Sequence, residues 1–382
     1  MTTTSTGDGD WTSVVGSLTI SDDVVIAHDV DLDGIVNMTG SLTINASKTL
    51  DTTGSNHALT VTGQVSVTGT LTGNASAITI GKMLEILGAG TYSAPNASGS
   101  TLIAGQPDGD YILRVHDGGT FTHNSGTLTI SRSSASGSKY AKFDNETYNN
   151  IIIDETNTSG TSTVYIVGVL NVAGDLTITD GDFSSYGGTG AVDVDGDVLI
   201  SSGGILNLNA GGVNPTASFG SLTIASGGSY IATSGTTTIN GAGAGHSGQA
   251  SACENQGTFT HNNGTILLSS AGDQDVEMDG TGNFYNLTIN KSNNNVIMHP
   301  NVTIENNLDV TLAADHTLRA ASTTNTVTVH GITSLTTGII GGTTAYDGNH
   351  NWGTLQINSG TFTMGSGTNN VTAIRNIGGT IN

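Results

Sequence analysis

An all-β fold, an elongated parallel β-solenoid of stacked short strands with a few loop excursions, is what this sequence predicts, on three observations. A strand phrase of alternating apolar and polar residues recurs along the chain. A twelve-residue block is written nearly twice, GTFTHNSGTLTI from Gly119 and GTFTHNNGTILL from Gly257, with a looser copy, GTFTMGSGTNNV, from Gly360. The composition, finally, is that of a stacked array rather than a globule: 10% charged residues, 5% aromatics and 55 glycines among 382 residues, where ordinary globular chains carry about 25% charged residues.

The strand phrase comes first. It reads SLTI at Ser17 and Ser41, AITI at Ala77, TLTI at Thr127, DLTI at Asp175, SLTI at Ser221 and NLTI at Asn286. Successive side chains of a strand point to opposite faces, so Leu and Ile fall on one face and Thr on the other. Thr is β-branched and suits an extended, half-wet backbone. No stretch has a sustained helical period; the best, KMLEIL from Lys82, is too short.

Corners come next. Gly-Gly, Asn-Gly, Ser-Gly and Asp-Gly pairs lie between the strands, among them Gly187-Gly188, Gly203-Gly204, Gly211-Gly212 and Gly341-Gly342. Such pairs are expected to supply positive φ. Many short strands admit a sandwich as well as a solenoid. The recurring phrases, the scarcity of large aromatics and the Thr/Asn/Gly surplus favour the solenoid, in which each coil buries one stripe against its neighbours. At roughly 20 to 25 residues per coil the chain makes about 15 to 19 coils.

The duplicated block sets the organisation. Each copy leads into an aromatic-Asn step and further apolar strands, giving supermodules at 119–180 and 257–316. The divisions expected are N-terminal coils over 1–118, a first supermodule with following coils over 119–256, a second over 257–359, and the start of a third over 360–382. Loops are expected at 88–110, which holds Pro95 and Pro107, at 131–147, which holds Arg132, Lys139 and Lys142, and at 241–256.

Charge and cysteine narrow the function classes. Nine Lys+Arg against 31 Asp+Glu give a net charge of −22, which argues against nucleic-acid partners and anionic membrane surfaces. Cys253, the single cysteine, cannot form an intrachain disulfide. The start, MTTTSTGDGDW, has neither basic n-region nor apolar h-region, so no Sec-type leader is expected. No apolar run has the length of a membrane span, and membrane insertion is not expected.

Candidate chemistry is sparse. His123 and His261 recur within the block, but Met364 takes their place in the third copy, so both are read as packing or corner residues. Asp29, Asp31 and Asp33 open a D-x-D-x-D-G phrase, and Asp193, Asp195 and Asp197 alternate in the same way. Alternate oxygens suit Ca²⁺, which makes these six the candidate metal ligands and Ca²⁺ the one candidate cofactor. Gly40 and Gly204 stand where a calcium loop has its bidentate acid. The same carboxylates are candidates for a glycosidase pair, and the alternative to both is an exposed acidic strand face. No nucleophile elbow, zinc-protease helix, phosphate loop or Cys/His cluster occurs, so no catalytic residue is assigned and a non-enzyme is expected. Trp11, Trp352 and the tyrosines suit sugar stacking but are scattered in sequence, and core or corner packing is expected for most.

The N-terminal run, with Trp11, Asp23-Val24-Val25-Ile26 and the Gly40 to Leu50 coil, resembles a repeat of bacterial and phage surface proteins. GTFTHNNGT with FYNLTIN resembles β-strand repeats of large bacterial surface proteins and of virion proteins from environmental phages. The resemblance implies a structural protein of a phage particle, such as a tail fibre, spike or other appendage. Its expected partners are copies of itself, with a homotrimer implied by analogy to phage fibres, other virion proteins, and a glycan of the host surface. The alternatives are a bacterial cell-surface adhesin and a glycan-degrading tailspike.

Overall fold

The computed structural model describes residues 17–105, 108–132, 137–155, 162–187, 190–212, 214–242, 251–341, 348–363 and 367–382, with the backbone alone of 2–4 and 9–11. The side chain of Trp11, and Pro107, Gly188, Gly342 and Met364, lie outside the described residues. The chain divides into two units, Met1–Val192 and Asp193–Asn382. Each is a β-solenoid.

In the first unit each of the early coils contributes one strand to each of three faces. Ser17–Ile20, Asp23–Ile26 and Val30–Leu32 make one coil, and Ile35–Met38, Leu42–Ile44 and Thr49–Asp51 make the next. Every strand pairs in parallel with its counterpart one coil on. Leu18, Val36, Leu59, Ile78, Thr101, Leu128 and Ile151 form one column of register partners. A coil there takes between 36 − 18 = 18 and 128 − 101 = 27 residues. Inward positions are buried Leu, Ile and Val, while the alternating Thr, Ser and Asn face out, so the Leu-Thr-Ile phrase fits the pleat as read.

The second unit is built in the same way, but some corners are straightened. Thr216–Ile224, Thr326–Thr337 and Asn349–Ile357 each run through a corner as one strand. Its longest step is 253 − 222 = 31 residues, between partners Leu222 and Cys253. Such long coils explain why there are about 14 turns and not the 15 to 19 expected. Helix among the described residues is confined to the short 3₁₀ turn Ala210–Gly212.

The duplicated block has a structural counterpart in each unit. Phe121 stands between Tyr92 and Tyr148, with ring centroids 5.4 and 4.5 Å away. Phe259 stands between Tyr230 and Phe284, at 5.8 Å from each. Both ladders lie in the core, where a face or edge contact between rings is worth about 0.5–1.5 kcal/mol beyond the area buried. The corner that follows is also shared. His123 Nδ1 accepts from the Ser125 N–H at 2.9 Å, and His261 Nδ1 from the Asn263 N–H at 2.9 Å. Both histidines are corner residues.

At these corners the Ser-Gly and Asn-Gly pairs supply positive φ as expected, but from the Ser and Asn and not the Gly. Positive φ falls on Asn124 (47°) and Ser125 (62°), and on Asn262 (46°) and Asn263 (61°), closing a primed turn in which Gly126 and Gly264 N–H groups donate to His123 and His261 carbonyls at 2.8 Å. The glycines serve close approach. A Cβ on Gly126 would lie 1.9 Å from the Pro95 carbonyl oxygen of the coil below, and one on Gly264 would lie 2.3 Å from that of Thr233. The expectation holds for Gly203, Gly211, Gly212 and Gly341, which do adopt positive φ.

Three expected loops are corrected as well. Residues 88–110 include the strands Thr91–Ser93 and Ser100–Ala104, and Pro95 is buried at the corner between them. Residues 131–147 include Lys139–Lys142, with Arg132 fully buried. Residues 251–255 form the buried strand Ser251–Asn255, and 243–250 lie outside the described residues. In the first of these a proline-bearing sequence still places alternate residues inward, whereas all five residues of Ser251–Asn255 are buried.

Candidate functional site

Four tyrosines that the sequence scatters meet on the outer surface of the first unit. The strands Tyr111–Val115, Lys139–Lys142 and Thr163–Val167 pair in parallel, with Tyr111, Tyr140 and Tyr165 as successive register partners. Leu113, Ala141, Val164 and Ile166 take the inward positions, which forces the tyrosines outward. Tyr186 follows the strand Leu176–Ser185, and its N–H donates to the Ile166 carbonyl at 3.2 Å.

The rings form one connected patch. Centroids are 5.6 Å apart for Tyr111 and Tyr140, 5.6 Å for Tyr140 and Tyr165, 4.8 Å for Tyr140 and Tyr186, and 5.0 Å for Tyr165 and Tyr186. Tyr186 is 44% exposed. A hydrogen bond with Tyr186 pushes the Tyr140 hydroxyl up to about 12.

Cations cluster beside the rings in a chain that has few. The Arg114 guanidinium carbon lies 4.8 Å from the Tyr111 ring centre, within cation–π range. Arg114 and Lys142 are register partners in the adjoining column. Glu85 lies 3.7 Å from Arg114 and 2.9 Å from His116, while Lys142 reaches Asp117 at 3.1 Å and Asp144 at 3.2 Å. Lys142 thereby holds the Asp117 carboxyl below its usual range. Lys139 Nζ donates to the Gly109 carbonyl at 2.6 Å. The cations are matched by acids, so the patch offers aromatic faces, phenol hydroxyls and charge-paired donors without a strong net field.

A buried ion pair anchors this face from behind. Arg132 and Glu155 are both inaccessible, bonded through Arg132 Nε and, at 2.7 Å, through Nη2 to Glu155 Oε2. Ser162 bonds both partners, and Arg132 Nη1 donates to the Gly137 carbonyl at 3.1 Å. Ser162 and Thr163 open the strand that presents Tyr165, so the pair sets where that strand begins. Burial raises the Asp182 carboxyl beside Thr163, and hydrogen bonds from Ser184 and Thr163 oppose the rise.

Of the six aspartates expected to hold a cation, Asp31, Asp193, Asp195 and Asp197 lie on strands, and Asp29 and Asp33 flank the strand Val30–Leu32. Asp29, Asp31 and Asp33 are exposed and alternate with buried Val30 and Leu32. Asp29 Oδ1 accepts the Thr49 N–H at 2.8 Å. Asp193, Asp195 and Asp197 alternate likewise on the strand Ala191–Ile200, and Ser221 Oγ donates to Asp197 Oδ1 at 2.6 Å. Among the described residues no three His, Cys, Asp or Glu side chains are grouped as metal ligands. The arrangement is that of an acidic strand face whose oxygens tie neighbouring coils.

In the second unit Glu277, Asp279 and His299 line a cavity of about 420 Å³ with Pro300, Ala321, Ser322 and Asn325. His299 is the register partner of Glu277 and lies 3.5 Å from Asp275. Burial, then the neighbouring Glu254 carboxylate, raises the Glu277 carboxyl.

Tyr92, Tyr148, Tyr230 and Trp352 are buried and fit the packing expectation, and Tyr285 is half-buried against the corner residue His261. No helix among the described residues is long and apolar enough to cross a membrane. A scan against protein-family models finds no match. Searches of curated proteins and of solved structures likewise find none.

Proposed function

We propose that this chain is a structural, non-enzymatic β-solenoid of a phage virion appendage, such as a tail fibre or spike, and that its tyrosine face attaches to a glycan of the host surface. The observation that carries the attachment role is the clustering of Tyr111, Tyr140, Tyr165 and Tyr186 on one outer surface. Pyranose rings present C–H faces that pack on aromatic rings, while phenol, guanidinium and carboxylate groups at the rim bond their hydroxyls. A rigid stack of coils repeats such contacts, and further copies in an oligomer multiply weak affinities. The particle assignment rests on the resemblance of the repeat phrases to virion and surface proteins. A bacterial adhesin would use the same face.

Binding of the labelled chain to purified bacterial surface polysaccharide tests the attachment role. Tyr165→Ala with Tyr186→Ala is expected to weaken it about fivefold or more, since each lost aromatic contact is worth about 0.5–1.5 kcal/mol; unchanged binding overturns the role. Mass spectrometry and antibody-gold labelling of purified virions test the location.

A second reading, glycan cleavage, is favoured by Glu277, Asp279 and His299 around one cavity. Paired carboxylates are what acid/base hydrolysis of a glycosidic bond requires. New reducing ends released by the wild type and not by Glu277→Gln would support it.

A further inference from the structure

The second unit carries a groove built from different residues and of different chemistry. The strands Thr326–Thr337, Asn349–Ile357 and Asn369–Asn376 pair in parallel, with Thr328, Asn351 and Asn370 as successive partners. The register shifts between Val329 and Ile332, where the first strand turns its corner. Glycines permit the stacking at this corner. A Cβ on Gly353 would lie 2.4 Å from the His330 carbonyl oxygen, and one on Gly331 would lie 2.2 Å from that of Asn306.

The result is a groove of about 550 Å³ lined chiefly by Thr328, His330, Asn351, Gly353, Asn370 and Thr372, a volume in the range of ~300–1,000 Å³ typical of small-ligand sites. Among the described residues no Lys, Arg, Asp or Glu lines it. Asn370 Nδ2 donates to Asn351 Oδ1 at 2.8 Å. An amide has a donor and an acceptor end, so the Asn351 NH₂ and the Asn370 carbonyl are the ends that this bond does not use.

We propose that this groove is a binding site for an uncharged, hydroxyl-rich oligosaccharide lying across successive coils. Apart from a protonated His330, an ionic ligand would find no counter-charge among the described lining residues, and an anion would also meet the field of a chain with net charge −22. A lipid would find amides and hydroxyls among the apolar Val329, Trp352 and Val371 of the lining. A peptide adding as a strand would use the backbone edge of Asn369–Asn376, which pairs only with Asn349–Ile357, and not the side-chain amides and hydroxyls that line the groove. Asn amides and Thr hydroxyls spaced by the coil repeat match the alternating donors and acceptors of sugar hydroxyls. The inference does not depend on the tyrosine face.

The test is the full chain on an array of uncharged and acidic oligosaccharides. Binding to uncharged oligosaccharides is expected, weakened about fivefold or more by Asn351→Ala with Asn370→Ala, since both variants remove amide hydrogen-bonding groups from the groove. Thr372→Trp, at an exposed position, fills the groove without touching the core and gives the same loss. Oligosaccharides that are lost with Tyr165→Ala and Tyr186→Ala but kept by both groove variants are assigned to the tyrosine face, which keeps failure of the two readings distinguishable. Absence of any uncharged ligand, or a bound one indifferent to both groove variants, overturns the proposal.

Discussion

The Tyr92 hydroxyl and Thr101 Oγ1 lie 2.6 Å apart inside the core of the first unit. Thr101 occupies a column otherwise made of Leu, Val and Ile, and it is 1% exposed. Tyr230 and Thr237 repeat the relationship in the second unit at 3.0 Å. Each hydroxyl satisfies the other, and burial accordingly raises both phenols well above their usual range.

Tyr92→Phe is expected to cost about 1–3 kcal/mol by stranding the Thr101 hydroxyl in an apolar column. Adding Thr101→Val recovers most of that loss, because both partners are then apolar. Denaturant unfolding of the two single variants and the double variant checks the coupling, and additive losses would contradict it.

Removing one partner of the Arg132–Glu155 pair leaves a buried charge without its counter-ion. Arg132→Met is therefore expected to destabilise by about 3–5 kcal/mol, and Arg132→Met with Glu155→Leu by less. Because the pair anchors the start of the Tyr165 strand, the single variant also loses glycan binding; circular dichroism and the polysaccharide assay report the two effects separately.

Gly126→Ala and Ser125→Gly separate close approach from backbone conformation at one corner. The alanine methyl would meet the Pro95 carbonyl oxygen, and overpacking of this kind costs about 1–3 kcal/mol. Ser125 already has φ of 62°, so glycine there relieves a left-handed non-glycine residue and is neutral or stabilising by up to about 1 kcal/mol. Thermal midpoints in the opposite order would show that the corner is limited by φ and not by stacking.

Stability is expected to fall as pH rises above the normal carboxylate range. Burial raises the Asp182, Asp275 and Glu277 carboxyls, so between the unfolded values of about 4 and the folded ones the native state holds more protons than the unfolded chain. Stability in that window declines with increasing pH. Thermal midpoints of wild type and Glu277→Gln, compared across pH, check the sign: the variant's advantage should grow with pH, and a constant difference would contradict it.

What the sequence by itself determined was the strand phrase, the all-β solenoid class and the duplicated block, because alternation of Leu-Thr-Ile and steric demand at corners are local properties. His123 and His261 were legible as corner residues for the same reason. The tyrosine face was not. Tyr111, Tyr140, Tyr165 and Tyr186 are 29, 25 and 21 positions apart, and corners of unequal length erase any fixed period. Only the pairing register, set by which apolar residues stack inside, brings those rings together. The same holds for Arg132 with Glu155, for Tyr92 with Thr101 and for the Asn351–Asn370 groove. The aspartate runs were legible only as alternatives, a cation site or an acidic strand face, and the structure places Asp31, Asp193 and Asp195 at exposed strand positions.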